Sequence, residues 1–358
     1  MKRLATRTAW RRPLGGLLVG VSLTWGLGAA QAETILFVGN SFTYAEGSAV
    51  KYWHANTVTD LNQQGIGGIP ALFKAFTVQA GLSYDVSLET AGGQGLDYHY
   101  NNKLAVLDKP WDKVVLQSYS TLDANHPGNP AKLIQYAGLL ANTFKARNSQ
   151  VDVQLLATWS RADQTYPTTG AWYGQSIYQM ALDVNAGYQL ADAASDNIQG
   201  VIPVGLAWNR AMSQGFADIN PYDGIDPGKV KLWANDNYHA SVYGSYLEAL
   251  TIFGHITGLD PRSLGANETS AAQLGITTAQ ASALQQLAFE QLAAPVPEPA
   301  TYAMLLTGVG LLVMWRRRGV DRSREGGAHR SLNAGTQGSA KGSTTASTTA
   351  SPHGSLKT

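Results

Sequence analysis

The sequence predicts an α/β protein, a three-layer α/β/α sandwich around a central parallel sheet of about five strands. Two observations lead there. Short apolar, β-branched runs recur along residues 33–292, and segments with helical apolar spacing separate them. A strand–helix–strand alternation favours a parallel sheet covered on both faces. Right-handed crossovers then bring the strand C-terminal ends to one edge, where ligands bind in such sheets.

Taken in order, Thr34–Val38 (TILFV) reads as a buried strand. The segment Ala45–Gly68 follows as a long, polar, Gly-rich insertion containing Trp53 and His54, of the kind that forms a lid or substrate wall. Pro70–Ala80 has helical spacing through Leu72, Phe73, Phe76 and Val78. Tyr84–Leu88 and Lys113–Gln117 are the next strands. Pro130–Arg147 is a helix with proline in its first turn and basic residues in its last. Val151–Ala157 is a fourth strand and Gln175–Ala194 a helix. Val201–Val204 is a fifth strand, followed by a helical turn at Trp208–Met212. Ser241–Ile256 is a long helix, and Ala271–Ala293 forms one or two more.

Charged residues make up 14% of the 358-residue chain, against roughly 25% in an average soluble domain. Cysteine is absent, which excludes disulfides, thiolate metal sites and cysteine nucleophiles. The net charge of +1 hides a division. Residues 33–315 carry 13 basic and 23 acidic side chains, a balance of −10, and the basic excess lies at the two ends. An acidic body argues against nucleic acid as a partner. There is no His-Glu-x-x-His motif, and Gly65-Ile66-Gly67-Gly68 lacks the Lys-Ser/Thr of a phosphate loop, so neither a metal nor a nucleotide cofactor is expected.

The ends read as targeting segments. Residues 1–32 have a basic start, an apolar stretch from Leu14 to Ala30 and small residues at Ala30 and Ala32, the pattern of a signal peptide cleaved before Glu33. Residues 293–318 hold Pro297-Glu298-Pro299, an apolar run from Ala300 to Trp315, then Arg316-Arg317-Arg318. The run is expected to form a membrane helix with the arginines on the cytoplasmic side. Those three ordered features resemble the PEP-CTERM sorting signal. The resemblance implies export by a Gram-negative bacterium, initial membrane anchoring at the cell surface, an exosortase as partner and an extracellular-polysaccharide context. Residues 319–358 are rich in Ser, Thr, Gly and Ala and read as a disordered tail.

Chemistry is suggested at two places. The first strand runs into Gly39-Asn40-Ser41-Phe42-Thr43. A serine just past a strand, after a bend-permitting glycine, can sit at a helix N-terminus with free backbone N–H groups beside its hydroxyl. A serine nucleophile needs a base. His239 follows Asp236 by three residues, just before the helix from Ser241, so the carboxylate can reach the ring. His54, His99, His126 and His255 are the other histidines of the body; His255 reads as packing, and His99 and His126 as surface or pocket residues.

Together, Gly39-Asn40-Ser41 and Asp236-x-x-His239 resemble the SGNH (GDSL-like) hydrolases, in a divergent branch beginning GNSFT. The resemblance spans about Thr34 to Gly258. It implies Ser41 as nucleophile, His239 as base and Asp236 as its orienting partner. It also implies an oxyanion hole from the N–H groups of Ser41 and Gly93 (Gly92 being the alternative), with the Gln117 amide standing in for a missing Gly-x-Asn-Asp block. Asn40, Trp159 and Tyr238 are the candidate substrate contacts, with Arg161 and Trp208 near the same strand ends. The expected activity is hydrolysis of small acyl, chiefly O-acetyl, esters on extracellular polysaccharide. A polysaccharide-binding surface or matrix protein without catalysis, and a carbohydrate O-acyltransferase, are the competing readings.

Overall fold

The computed structural model describes residues 32–294. The signal-peptide, membrane-helix and tail expectations fall outside those residues. Among the described residues, no helix is long and apolar enough to cross a membrane.

The first strand, β1 (Glu33–Gly39), shows why the sheet is double-faced. Ile35 and Phe37 point into one apolar core, and Leu36 and Val38 into the other. Successive strand residues face opposite sides, so an unbroken apolar run is stable only where both faces are covered. The insertion after β1 contains β2 (Thr59–Asp60) and is followed by α1 (Gly68–Gln79), β3 (Tyr84–Thr90) and α2 (Leu96–Leu107). Then come β4 (Lys113–Leu116), α3 (Ala131–Arg147), β5 (Asp152–Leu156) and the short α4 (Ala162–Thr165). The chain continues through α5 (Gln179–Ala193), β6 (Gly200–Ile202), α6 (Val204–Ser213), α7 (Val242–Thr257), α8 (Thr269–Gln273) and α9 (Thr278–Ala293).

The sheet has six strands, not five, in the order β2-β3-β1-β4-β5-β6, and every pairing is parallel. The added strand, β2, is two residues long and pairs Thr59 with Ser87 and Asp60 with Leu88. It has too few residues to show a period. The helix α2 is also new. Its inward face carries His99 between Leu96 and Leu107 where an apolar residue would make the spacing legible.

One face of the sheet is covered by α1, α6, α7 and α9, the other by α2, α3 and α5. Twelve of the 16 residues of α7 are buried, which makes it the central helix of its layer. Three indoles pack together where α6 meets the sheet edge. Trp159 stacks parallel on Trp208 at 4.4 Å, and Trp208 meets Trp233 at 5.7 Å. Each such ring buries roughly 150–250 Å², worth about 4–6 kcal/mol at roughly 25 cal/mol per Å² before the entropy of ordering it.

The insertion is a packed wall. Its two ends are tied, with Gly67 N–H donating to Lys51 O at 2.9 Å and Ile69 N–H to Thr43 O at 3.0 Å. Val50 and Ile66 are buried beneath it, while Trp53 and His54 stack on one another at 3.8 Å.

Candidate active site

Because every strand is parallel, the segments after β1, β3, β4 and β5 share one edge. Ser41 is two residues beyond β1 and 5% exposed. No helix starts there. Residues 41–47 form a run of turns, closed by Tyr44 N–H to Asn40 O at 3.1 Å and Glu46 N–H to Ser41 O at 2.9 Å. Among the described residues, the Ser41 N–H has no acceptor. The bend needs a glycine at 39, since a Cβ there would sit 2.1 Å from Thr43 Oγ1 and 2.7 Å from Gln117 Oε1.

Asn40 and Gln117 brace this loop from beneath. Gln117 is fully buried, and its Oε1 accepts from Asn40 N–H at 2.9 Å and from Thr43 Oγ1 at 3.1 Å. Two donors fix which end of the amide is oxygen, and Nε2 donates to the Ser118 carbonyl. The amide expected to meet an oxyanion is thus spent on holding the loop. Asn40 is likewise a strut and not a substrate surface. It is buried, and its Nδ2 donates to Gln94 O at 2.8 Å and Ser118 O at 3.2 Å. Trp159 also departs from expectation: it has no exposed surface, packs on Phe42 at 4.4 Å, and donates its Nε1–H to Tyr238 O at 3.2 Å.

The turn Asp236–His239 lies just ahead of α7, whose N-cap Ser241 accepts from Gly244 N–H. His239 Nδ1 lies 2.7 Å from Asp236 Oδ2. Asp236 Oδ1 accepts from the N–H groups of Tyr238 and His239, both at 3.0 Å. Burial pushes the Asp236 carboxyl up, but the His239 ring and these two amides outweigh it and hold the group below the usual aspartate range. An ionised carboxylate only accepts, so Nδ1 carries the ring proton and Nε2 is the free base nitrogen. That Nε2 is buried and has no hydrogen-bond partner among the described residues.

Ser41 and His239 share Phe42 as a neighbour: it follows Ser41 in the chain, and its ring is 5.6 Å from the imidazole. No hydrogen bond joins Ser41 Oγ to His239 Nε2 in this arrangement. Catalytic contacts are often long before substrate binds. Gly92 and Gly93 follow β3 and are exposed. Gly93 adopts φ 71°, and a Cβ there meets open space, whereas at Gly92 it would sit 2.7 Å from the Tyr44 phenol oxygen.

Arg161, beyond β5, joins this site through Tyr238. Its guanidinium lies 3.5 Å from the Tyr238 ring centroid, and that ring stacks on His239 at 3.9 Å. Asp163 holds the guanidinium by two hydrogen bonds, at 3.0 and 2.5 Å, and Asp163 N–H donates to Asn237 O at 3.3 Å. Asn237 is in the left-handed region at φ 56°, so the turn is held from outside as well as by its own bonds. An arginine at a strand end is the sequence signal, but nothing in spacing shows that it reaches a tyrosine 77 residues away. Should the chain cleave acyl esters as the resemblance implies, Arg161→Met is expected to lower kcat for a chromogenic acetyl ester by about 2- to 30-fold, the range of a partly desolvated cation–π contact. Arg161→Lys should recover only part of the loss, since it restores charge and not the flat stack. Equal losses in both variants, with KM rising and kcat held, would place Arg161 outside the His239 support.

The remaining histidines are placed elsewhere. His99 is fully buried against Glu89, not on a surface. The His126 side chain is 76% exposed. His255 Nε2 lies 3.0 Å from Gln154 Oε1, and burial lowers its pKa. Among the described residues, no group of three or more metal-ligating side chains converges.

The chain matches the PEP-CTERM protein-sorting motif over residues 295–318. No curated protein sequence matches it. Solved structures similar to it include a DUF4886 family protein from Bacteroides uniformis, at 18% identity and TM-score 0.51, covering 74% of this chain and 96% of that one. A protein described as an SGNH hydrolase from Slackia heliotrinireducens matches at 21% identity and TM-score 0.43, over 63% of this chain and 100% of that one. A family 3 carbohydrate esterase from Clostridium thermocellum matches at 17% identity and TM-score 0.40, over 65% and 99%. Of the three, the DUF4886 family protein carries the likeness of fold. This chain combines an α/β/α body of that shared fold with a PEP-CTERM sorting motif.

Proposed function

We propose that this protein is an exported serine esterase that hydrolyses small acyl esters, O-acetyl groups above all, on extracellular polysaccharide. The observation that carries the reading is the His239 ring. Its Nδ1 is held at 2.7 Å by Asp236, and its Nε2 is buried with no partner among the described residues, beside Phe42 of the Ser41 loop. Leaving a buried ring nitrogen unpaired costs roughly 1–3 kcal/mol. A role in taking a proton accounts for that cost.

In this reading the Ser41 oxygen attacks the acyl carbon as His239 Nε2 takes the hydroxyl proton. Asp236 keeps the ring oriented and stabilises the imidazolium. The N–H groups of Ser41 and Gly93 receive the oxyanion. The sugar oxygen leaves with the proton from His239, giving the free hydroxyl and an acyl-Ser41 ester. Water, deprotonated by His239, then releases the carboxylic acid and restores the serine. The PEP-CTERM motif supports export and recognition by an exosortase, with residues 1–32 as signal peptide and the 300–315 run as a transient membrane anchor.

The test is acetate release by the full chain from a chromogenic acetyl ester and from a panel of acetylated polysaccharides, with and without an added acceptor sugar. Acetate release is expected on the chromogenic ester and on at least one polysaccharide. Acetyl transfer to the acceptor in place of release would make the protein an acyltransferase, and polysaccharide binding with no acyl chemistry at all would sink the enzyme reading.

A further inference from the structure

Beside the Ser41 loop lies a cavity of about 640 Å³ between the insertion wall and the segments after β3. That volume is within the roughly 300–1,000 Å³ of small-molecule sites and far exceeds what an acetyl group fills. Its lining includes Tyr44, Lys51, Tyr52, Asn62, Tyr98 and Lys103, together with Gly92 of the proposed oxyanion segment. Tyr44 links it to the reaction centre. It is three residues past Ser41, and its phenol oxygen packs against Gly92.

The charge on the wall is one-sided. Among the described residues, no carboxylate lines the cavity and its charged side chains are Lys51 and Lys103, in a body with an excess of acidic residues. Each lysine has a carboxylate within reach that does not itself line the cavity. Lys51 Nζ is 2.7 Å from Glu46 Oε2, and 5.0 and 5.3 Å from the ring centroids of Tyr44 and Tyr52. Lys103 Nζ is 2.8 Å from Asn62 Oδ1 and 3.7 Å from Glu89 Oε1. Burial pushes Glu89 up, but the hydrogen bond and charge of His99, then Asn62 and Lys103, hold it below the usual glutamate range. An ammonium has three N–H donors, so both lysines keep donors for a ligand. Tyr52 is 64% exposed and offers a ring face.

We infer that this cavity binds the sugar portion of an acidic polysaccharide, with a carboxylate-bearing (uronate-class) unit at Lys51 and Lys103 and sugar rings against the tyrosines. The inference rests on the esterase reading for its position but makes a separate claim about the glycan. Charged donors favour a carboxylate, and the flat tyrosine faces suit the apolar faces of sugar rings.

The experiment compares the full chain with Lys51→Gln, Lys103→Gln and Lys103→Arg on matched acetylated oligosaccharides, one containing uronate units and one neutral. Each glutamine variant is expected to lose about tenfold or more in kcat/KM on the acidic substrate, mostly through KM, and several-fold less on the neutral one. Lys103→Arg should recover most of the loss. Raising the salt from about 20 to 200 mM should weaken the wild type on the acidic substrate specifically, because exposed charges are screened. Equal losses on both substrates, or a wild-type preference for the neutral one, would overturn the inference. If no ester is cleaved, the esterase reading fails by itself. Calorimetric binding of the deacetylated acidic oligosaccharide then decides the subsite: binding that is weakened in both glutamine variants supports it, and absence of binding removes it.

Discussion

Ser41→Ala is expected to reduce ester hydrolysis by ~10⁴-fold or more with little change in stability. The substitution removes one oxygen from a loop whose shape is set by other atoms. Gln117 Oε1 holds the Asn40 N–H and the Thr43 hydroxyl, and Asn40 Nδ2 ties the loop to Gln94 and Ser118. Among the described residues, no hydrogen bond engages the Ser41 hydroxyl, so none is broken. His239→Ala should be comparably inactive, and the double variant scarcely worse than either single one, because groups acting in one step do not contribute additively. The measurement is initial rate on a chromogenic acetyl ester beside thermal unfolding. An Ser41→Ala protein that keeps a tenth of wild-type activity would remove Ser41 as nucleophile, and a collapsed Tm would assign it to structure.

A second large effect is expected at Glu248, in the middle of α7. The residue is wholly buried, and among the described residues neither carboxyl oxygen has a hydrogen-bond partner. Burial alone pushes its pKa well above the ordinary glutamate value, so the folded protein keeps this group protonated and neutral. In the unfolded chain the same group ionises near its ordinary value. Above that value the folded state binds one more proton than the unfolded state, and stability falls as pH rises toward the folded pKa. This group's contribution falls by about 1.4 kcal/mol per pH unit across that window and is fully present only below the unfolded value. Glu248→Gln and Glu248→Leu should remove the slope and raise Tm at pH 8 relative to pH 5, when each is compared with wild type. Because α7 begins three residues after His239, the same variants should hold the His239 turn more firmly at alkaline pH. Denaturant titrations at pH 5, 6.5 and 8 check this, and parallel pH curves for wild type and variants would refute it.

The two glutamine-and-tryptophan expectations that the structure revised have one cause. Gln117 follows a well-marked strand, and its position at the sheet edge was legible. Which way its amide points depends on the Asn40 N–H and the Thr43 hydroxyl, 77 and 74 residues away. Trp159 likewise stands at a strand end, yet Trp208 and Phe42 close over both of its faces. Position along a strand is a local property, whereas exposure is settled by whatever folds back over it.

By itself, the sequence determined the parallel α/β/α architecture, since runs such as TILFV and KVVLQ are apolar on both faces and demand two covering layers. It also offered the Asp236–His239 contact, a three-residue offset that lets the carboxylate reach the ring and that the structure closes at 2.7 Å, and it determined the sorting motif at 295–318, which is read from residue order alone. Tertiary structure alone decided the rest. It added β2, which exists only by pairing with β3, and α2, whose buried face carries His99 between two leucines because Glu89 is there to receive the ring. It set Arg161 against Tyr238 and grouped Lys51 with Lys103 on a cavity wall without carboxylates. These are distances between residues far apart in the chain, and packing sets them where local periodicity carries no information.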